Sequence, residues 1–179
     1  MIIKTRKIMK KILLMAAFAV ASLSANAQVW VGGGLGFNTE KAKDADAQTV
    51  FNIAPQIGYN LDEKLSLGLE LGLKVANKAA GDYTDVVAAP FVRYTYAKMG
   101  IASLFVDGGF GLGSHKPSGV DASTVWHVGL RPGIAINLSD NLSIISQLGY
   151  LGYQHREDWN RFSLNANENA LTLGVYYTF

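Results

Sequence analysis

Cysteine is missing from all 179 residues, which removes disulfides and thiolate chemistry and leaves no lipobox through which a lipid could hold the chain. Long apolar runs are missing too once residue 27 is passed, since none reaches the roughly 20 residues a helix needs to cross a bilayer. Helical 3.6-residue periodicity is scarce over the same stretch. A basic surface is the third absence. The chain has 16 Lys and Arg against 14 Asp and Glu, but five of the cations (Lys4, Arg6, Lys7, Lys10, Lys11) precede Gln28 and every anion follows it, so residues 28–179 carry a net charge of −3. That balance excludes a nucleic-acid partner held by a cationic face.

The first 27 residues have an order of their own. The five cations are followed by an apolar run from Ile12 to Leu23 and by small residues ending in Ala25-Asn26-Ala27. This is the pattern of a secretory signal peptide, with cleavage expected before Gln28, and the apolar run is too short for a spanning anchor. Met9-Lys10-Lys11-Ile12-Leu13-Leu14 is by itself a complete start of such a signal, which makes Met9 a candidate initiation site. The expected organisation is a cleaved signal peptide over 1–27 and one domain over 28–179.

Alternation with period two fills that domain. From Leu65 to Val75 the odd positions are aliphatic and the even ones small or charged, the pattern of a strand with one apolar face. The same test predicts eight strands, at 29–38, 49–60, 64–75, 86–97, 101–113, 123–137, 142–154 and 168–179. Tight connections (Asn60 to Lys64, Ala97 to Ile101, Asn137 to Asn141) alternate with longer, more charged ones at 39–48, 76–85, 114–122 and 155–167. The segments Asn60-Leu61-Asp62-Glu63-Lys64-Leu65-Ser66-Leu67 and Asn137-Leu138-Ser139-Asp140-Asn141-Leu142-Ser143-Ile144 resemble each other. Strands 2, 4, 6 and 8 end about 40 residues apart, as an up-and-down meander requires.

A soluble barrel also alternates, so the concave face decides between lipid and water. One face carries bulky residues such as Phe51, Ile53, Ile57, Leu65 to Val75, Val92, Leu104, Phe110, Trp126 and Leu130. The other carries Gly32, Gly34, Gly36, Ala54, Gly58, Ser66, Gly68, Gly72, Ser103, Gly109, Gly111, Gly129, Gly133, Gly149 and Gly174. An eight-stranded barrel has an interior only wide enough for side chains to fill, so the bulky face is expected to meet lipid and the small one the lumen. Closure satisfies every backbone amide that hydrocarbon cannot. Tyr59, Tyr94, Tyr96, Tyr177 and Phe179 fall near the short-turn ends on the lipid face, as an interfacial girdle does. The expectation is an all-β, eight-stranded antiparallel up-and-down transmembrane barrel with short periplasmic turns and longer outer loops.

The chain ends Leu171-Thr172-Leu173-Gly174-Val175-Tyr176-Tyr177-Thr178-Phe179, with apolar residues at every second position back from a terminal Phe. This resembles the C-terminal strand signal of outer-membrane barrels. With the leader and the strand count, residues 28–179 resemble the small porin-like barrels of the OmpX, OmpA-transmembrane and opacity-protein type. The resemblance implies residence in a Gram-negative outer membrane. It also implies partners in outer-membrane lipid and lipopolysaccharide, and in the barrel-assembly machinery and periplasmic chaperones during biogenesis, with Phe179, Tyr177 and Val175 as the assembly signal.

Charge on the lumen face is the one chemical constellation. Gln56, Glu70, Arg93, Asp107, Arg131 and Gln147 lie at similar counts from the short-turn ends. They are expected to form a belt of alternating carboxylate and guanidinium in which Arg93 has acids on both sides and Asp107 has Arg on both. A belt of this kind reads as a static plug in place of a hydrophobic core, or as a narrow polar pathway. Hydrolysis is the rival chemistry. His127 faces the lumen without the His-x-Ser-Asn spacing of a barrel deacylase, and His155 with Glu157 and Asp158, or His115 with Asp82, Asp85 and Asp121, fit solvated loops. The run Gly32-Gly33-Gly34-Leu35-Gly36 has no following helix and no Lys-Ser/Thr pair, so it is no phosphate loop. Glu40, Asp44 and Asp46, with Asp82 and Asp85, match no Ca²⁺ loop spacing. The sequence thus points to a non-enzymatic barrel without metal or cofactor, with a charge-plugged lumen and a structural or adhesive role, whose outer loops contact a host or surface protein. A small-solute porin is the second reading and a loop-based hydrolase the third.

Overall fold

The computed structural model describes residues 28–40, 48–77, 82–156, 159–165 and 172–179. Every regular element among them is a strand: β1 Val29–Glu40, β2 Gln48–Asn60, β3 Leu65–Asn77, β4 Tyr83–Met99, β5 Ala102–Pro117, β6 Ser123–Asn137, β7 Leu142–Gln147, β8 Tyr150–Arg156, β9 Trp159–Asn165 and β10 Thr172–Thr178. Consecutive pairs from β1 to β7 are antiparallel, β7 pairs with β10, and β10 returns to β1. Eight strands therefore close a barrel. β8 prolongs the seventh position along β6, and β9 pairs with β8.

Alternation sets the faces. Leu67, Leu69, Leu71, Leu73 and Val75 of β3 are all exposed on the outside, whereas Ala54 and Gln56 of β2 and Arg93 of β4 are buried within. Tyr59, Tyr94, Tyr96 and Tyr177 also face out. No helix of the described residues is long and apolar enough to cross a membrane. A closed sheet with an apolar exterior crosses it with strands instead.

The two look-alike turns are built alike. Leu61 N–H and Asp62 N–H donate to the Leu65 carbonyl at 2.8 and 3.2 Å, and Leu138 N–H and Ser139 N–H donate to the Leu142 carbonyl at the same two distances. Asp62 Oδ1 accepts from Lys64 N–H at 2.7 Å and Leu65 N–H at 2.8 Å, the place Ser139 Oγ takes toward Asn141 and Leu142. The N–H donors of Lys64 and Leu65 hold Asp62 below the ordinary carboxylate pKa. Ser66 and Ser143 each donate to the Asn that opens the turn, at 2.8 Å. In the third tight turn, Gly100 takes φ +60°, a left-handed conformation that side chains disfavour.

Strands β4 and β5 reach into the expected loops 76–85 and 114–122, so that Asp85 and His115 are ladder partners and not loop residues, and two further features depart from the expected strands. Within 155–167, expected as a loop, residues 155–156 and 159–165 are sheet, with Leu151 paired to Leu164 and Tyr153 to Phe162 between β8 and β9. The alternation Phe162-Ser163-Leu164 was masked by the surrounding charge. The seventh strand is also interrupted. Between the pairs Gly133–Gln147 and Leu130–Leu151, Arg131 and Pro132 of β6 face Leu148, Gly149 and Tyr150, which is a β-bulge. Pro132 has no N–H to give the ladder, and its carbonyl accepts from Leu148 N–H at 2.8 Å. Beyond the bulge the inward parity changes from Ile145 and Gln147 to Gly152.

Candidate functional site

The lumen is not lined only by small residues. Trp30, Phe91, Phe105, Ile145 and Tyr176 point inward and form the buried cluster. Each ring of that cluster sits across the sheet ladder from a glycine: Trp30 from Gly58, Tyr176 from Gly32, Phe91 from Gly68 and Phe105 from Gly133. A Cβ at those glycines would lie 2.0 Å from Trp30, 2.6 Å from Tyr176, 2.4 Å from Phe91 and 2.3 Å from Phe105. The small residues are the floor on which the rings lie flat. These rings escaped the sequence analysis, although Trp30 shares parity with Gly32, Phe105 with Ser103 and Tyr176 with Gly174.

Arg93 enters the middle of this cluster. Its Cζ is 4.1 Å from the centre of the Phe105 ring and 5.5 Å from the rings of Trp30, Phe91 and Tyr176. Its Nε donates to Asp107 Oδ1 at 2.7 Å and its Nη2 to Asp107 Oδ2 at 2.9 Å. Gln147 Nε2 adds a third bond to Oδ2 at 2.9 Å, and Asp107 has no exposed surface. Planar guanidinium, paired oxygens and surrounding π faces are the ingredients that let an ion pair exist away from water.

A second couple lies beside the first. Arg131 Nη1 donates to both oxygens of Glu70 at 3.0 Å. Gln56 Nε2 donates to Glu70 as well, and the Tyr176 hydroxyl donates to Gln56 Oε1 at 2.6 Å. The structure thus brings together all six expected lumen residues, but as two couples and not as a continuous alternating belt. Arg131 is the ladder partner of Asp107, yet it crosses to Glu70. Arg93 is paired with Ser66 on the β3 side, so it has one acidic partner and not two. Strand stagger accounts for the Arg93 side of the change, because Glu70 pairs with Ala89 and not with Arg93. A small void of about 10 Å³ lies beside Arg131, bounded by Gly109, His127, Gly129 and Tyr150.

The other singled-out residues scatter. His127 lies inside, opposite Gly111, where a Cβ would be 2.0 Å from its ring. His115 bonds Asp85 at the outer end. His155 bonds Asn160 at 2.5 Å and packs tilted against Trp126 with centroids 5.4 Å apart. Asp82 and Asp121 are exposed. Asp44, Asp46, Glu157 and Asp158 lie outside the described residues, as does the leader, and Glu40 is described in its backbone only. Val175 and Tyr177 face outward, and Tyr177 packs edge-on against Phe179 at 5.2 Å. The Gly32–Gly36 run is part of β1.

A family model described as an outer membrane protein beta-barrel domain matches residues 12–179. Among solved structures, Neisserial surface protein A is similar over 86% of this chain and 98% of its own, with TM-score 0.59 and 13% identity. The Yersinia pestis outer membrane protein Ail, solved in a phospholipid bilayer nanodisc, is similar over 86% of this chain and 100% of its own, with TM-score 0.50 and 15% identity. At those identities the likeness is one of fold. No curated protein matches the sequence.

Proposed function

Because the chain belongs to the family of outer membrane protein β-barrel domains, we propose that it is a non-enzymatic outer-membrane barrel whose lumen is sealed by charge and aromatic packing, and whose outer surface meets lipopolysaccharide and a host or neighbouring protein. The observation that carries the seal is Asp107, fully buried and held by Arg93 and Gln147 inside the ring cluster. A carboxylate so enclosed has exchanged water for fixed protein donors, which supports the reading of a plug. Against hydrolysis stand the side-chain partners of the two outer histidines, since His115 bonds Asp85 and His155 bonds Asn160. Liposomes carrying the protein should swell in small sugars no faster than empty ones, and lipid A from expressing cells should keep its mass. Swelling in proportion to protein would favour the porin, and altered lipid A the hydrolase.

Export by a signal peptide cleaved before Gln28 belongs to the same proposal, as does assembly directed by Val175, Tyr177 and Phe179. The outward register of Val175 and Tyr177 supports it. Phe179→Asp places a charge at the end of that register, and the yield of heat-modifiable barrel in unheated gels should fall severalfold. Equal yield would remove the assembly role.

A further inference from the structure

We infer that Gln28, once it is the first residue of the mature chain, closes on itself to a pyroglutamate, and that the resulting lactam is seated on Tyr59; this rests on the proposed cleavage before Gln28. Gln28 is fixed at the barrel seam. Its carbonyl accepts the Asn60 N–H at 2.7 Å, and the carbonyl of Val29, next in the chain, accepts the Phe179 N–H at 2.9 Å. The Gln28 side chain is exposed and its Oε1 accepts the hydroxyl of Tyr59. The carbonyl engaged in that bond belongs to the carbon at which cyclisation occurs.

An α-amino group titrates near pH 8, so at neutral pH a useful fraction is unprotonated and nucleophilic. Its nitrogen attacks Cδ, a bond forms between the two, the bond from Cδ to Nε2 breaks, and the amide nitrogen leaves as ammonia with the proton lost by the amine. Nothing is oxidised or reduced and no co-reactant is needed. The Tyr59 hydroxyl, donating to Oε1, stabilises the negative charge that develops there as the amine adds. The lactam retains this oxygen as a carbonyl, so the bond to Tyr59 survives the reaction.

The surroundings favour the product. Val29, Ile57, Gly58, Tyr59, Leu67 and Leu69 line an apolar hollow of about 310 Å³ on the lipid face beside this end of the chain. A neutral lactam can rest against such an apolar wall without the desolvation cost that an ammonium would carry there. The modified end also offers no free amine to an aminopeptidase, protecting the strand on which closure with β10 depends.

Intact mass of protein purified from outer membranes tests this. The expected mass is that of residues 28–179 less one ammonia, about 17 Da, with Gln28→Ala showing no such loss and Tyr59→Phe acquiring it severalfold more slowly in a refolded sample that starts uncyclised. A chain that begins at Gln28 and keeps its full mass would overturn the modification while leaving the cleavage intact. A chain that begins elsewhere would overturn the cleavage and the modification together. Equal rates in wild type and Tyr59→Phe would remove Tyr59 from the reaction.

Discussion

The two ion couples of the lumen use the same chemistry in different surroundings. Arg93 and Asp107 have side chains 9% and 0% exposed, whereas those of Arg131 and Glu70 are 21% and 15% exposed. The first couple has two parallel bonds, a glutamine and four rings around it; the second uses one guanidinium nitrogen for both carboxylate oxygens. Water can solvate what is left if the second couple is broken, but not the first. At the far limit, Lys98 and Glu63 at 3.4 Å are 52% and 90% exposed, a pair of the kind that adds little. The lesson is that the worth of an ion pair here is set by what would replace it.

Breaking the deeper couple should therefore have the largest effect. Arg93→Ala strands a buried carboxylate and should lower stability by about 3–5 kcal/mol, read from urea unfolding in bilayers. Arg93→Met combined with Asp107→Asn should recover much of that loss, because no charge is then left unpaired. A double variant as unstable as Arg93→Ala would mean that shape and not charge holds the centre. Gly58→Val tests the other component of the same region. It forces atoms into the Trp30 ring and should cost about 1–3 kcal/mol, visible as earlier loss of the compact gel form on heating. Glu70→Ala should cost less than Arg93→Ala, about 1–2 kcal/mol. Equal losses would erase the distinction between the couples.

The smallest effect lies in the turn at Asp62. Its carboxylate is held below the ordinary pKa by the N–H groups of Lys64 and Leu65. A depressed folded pKa adds stability above the unfolded value, about 3.9, and that increment fades as pH falls below about 4 through the lowered value. Asp62→Asn should flatten this part of the pH profile by lowering neutral stability by that small increment, leaving stability in acid almost unchanged. A variant profile still parallel to wild type would assign the acid sensitivity elsewhere.

Much of this was legible in the chain itself. Leu65 to Val75 declares its outward face, and the two Asn-to-Leu segments fold into turns with the same bonds. The rings were not legible, because Trp30, Phe91, Phe105 and Tyr176 are bulky members of a face otherwise made of small residues, and they fit only through glycines on the neighbouring strand. Periodicity along one strand carries no register between strands. The same limit turned two couples into an expected belt. Arg131 and Glu70 are 61 residues apart and meet across the lumen. The bulge at Leu148 depends on Pro132 of the adjoining strand, which a single-strand pattern does not contain.

Current through single barrels in a planar bilayer tests the sealed lumen most directly. Wild-type protein should pass little or no steady current, and Arg93→Ala should pass more. A large steady conductance in the wild type, unchanged by Arg93→Ala, would contradict the seal.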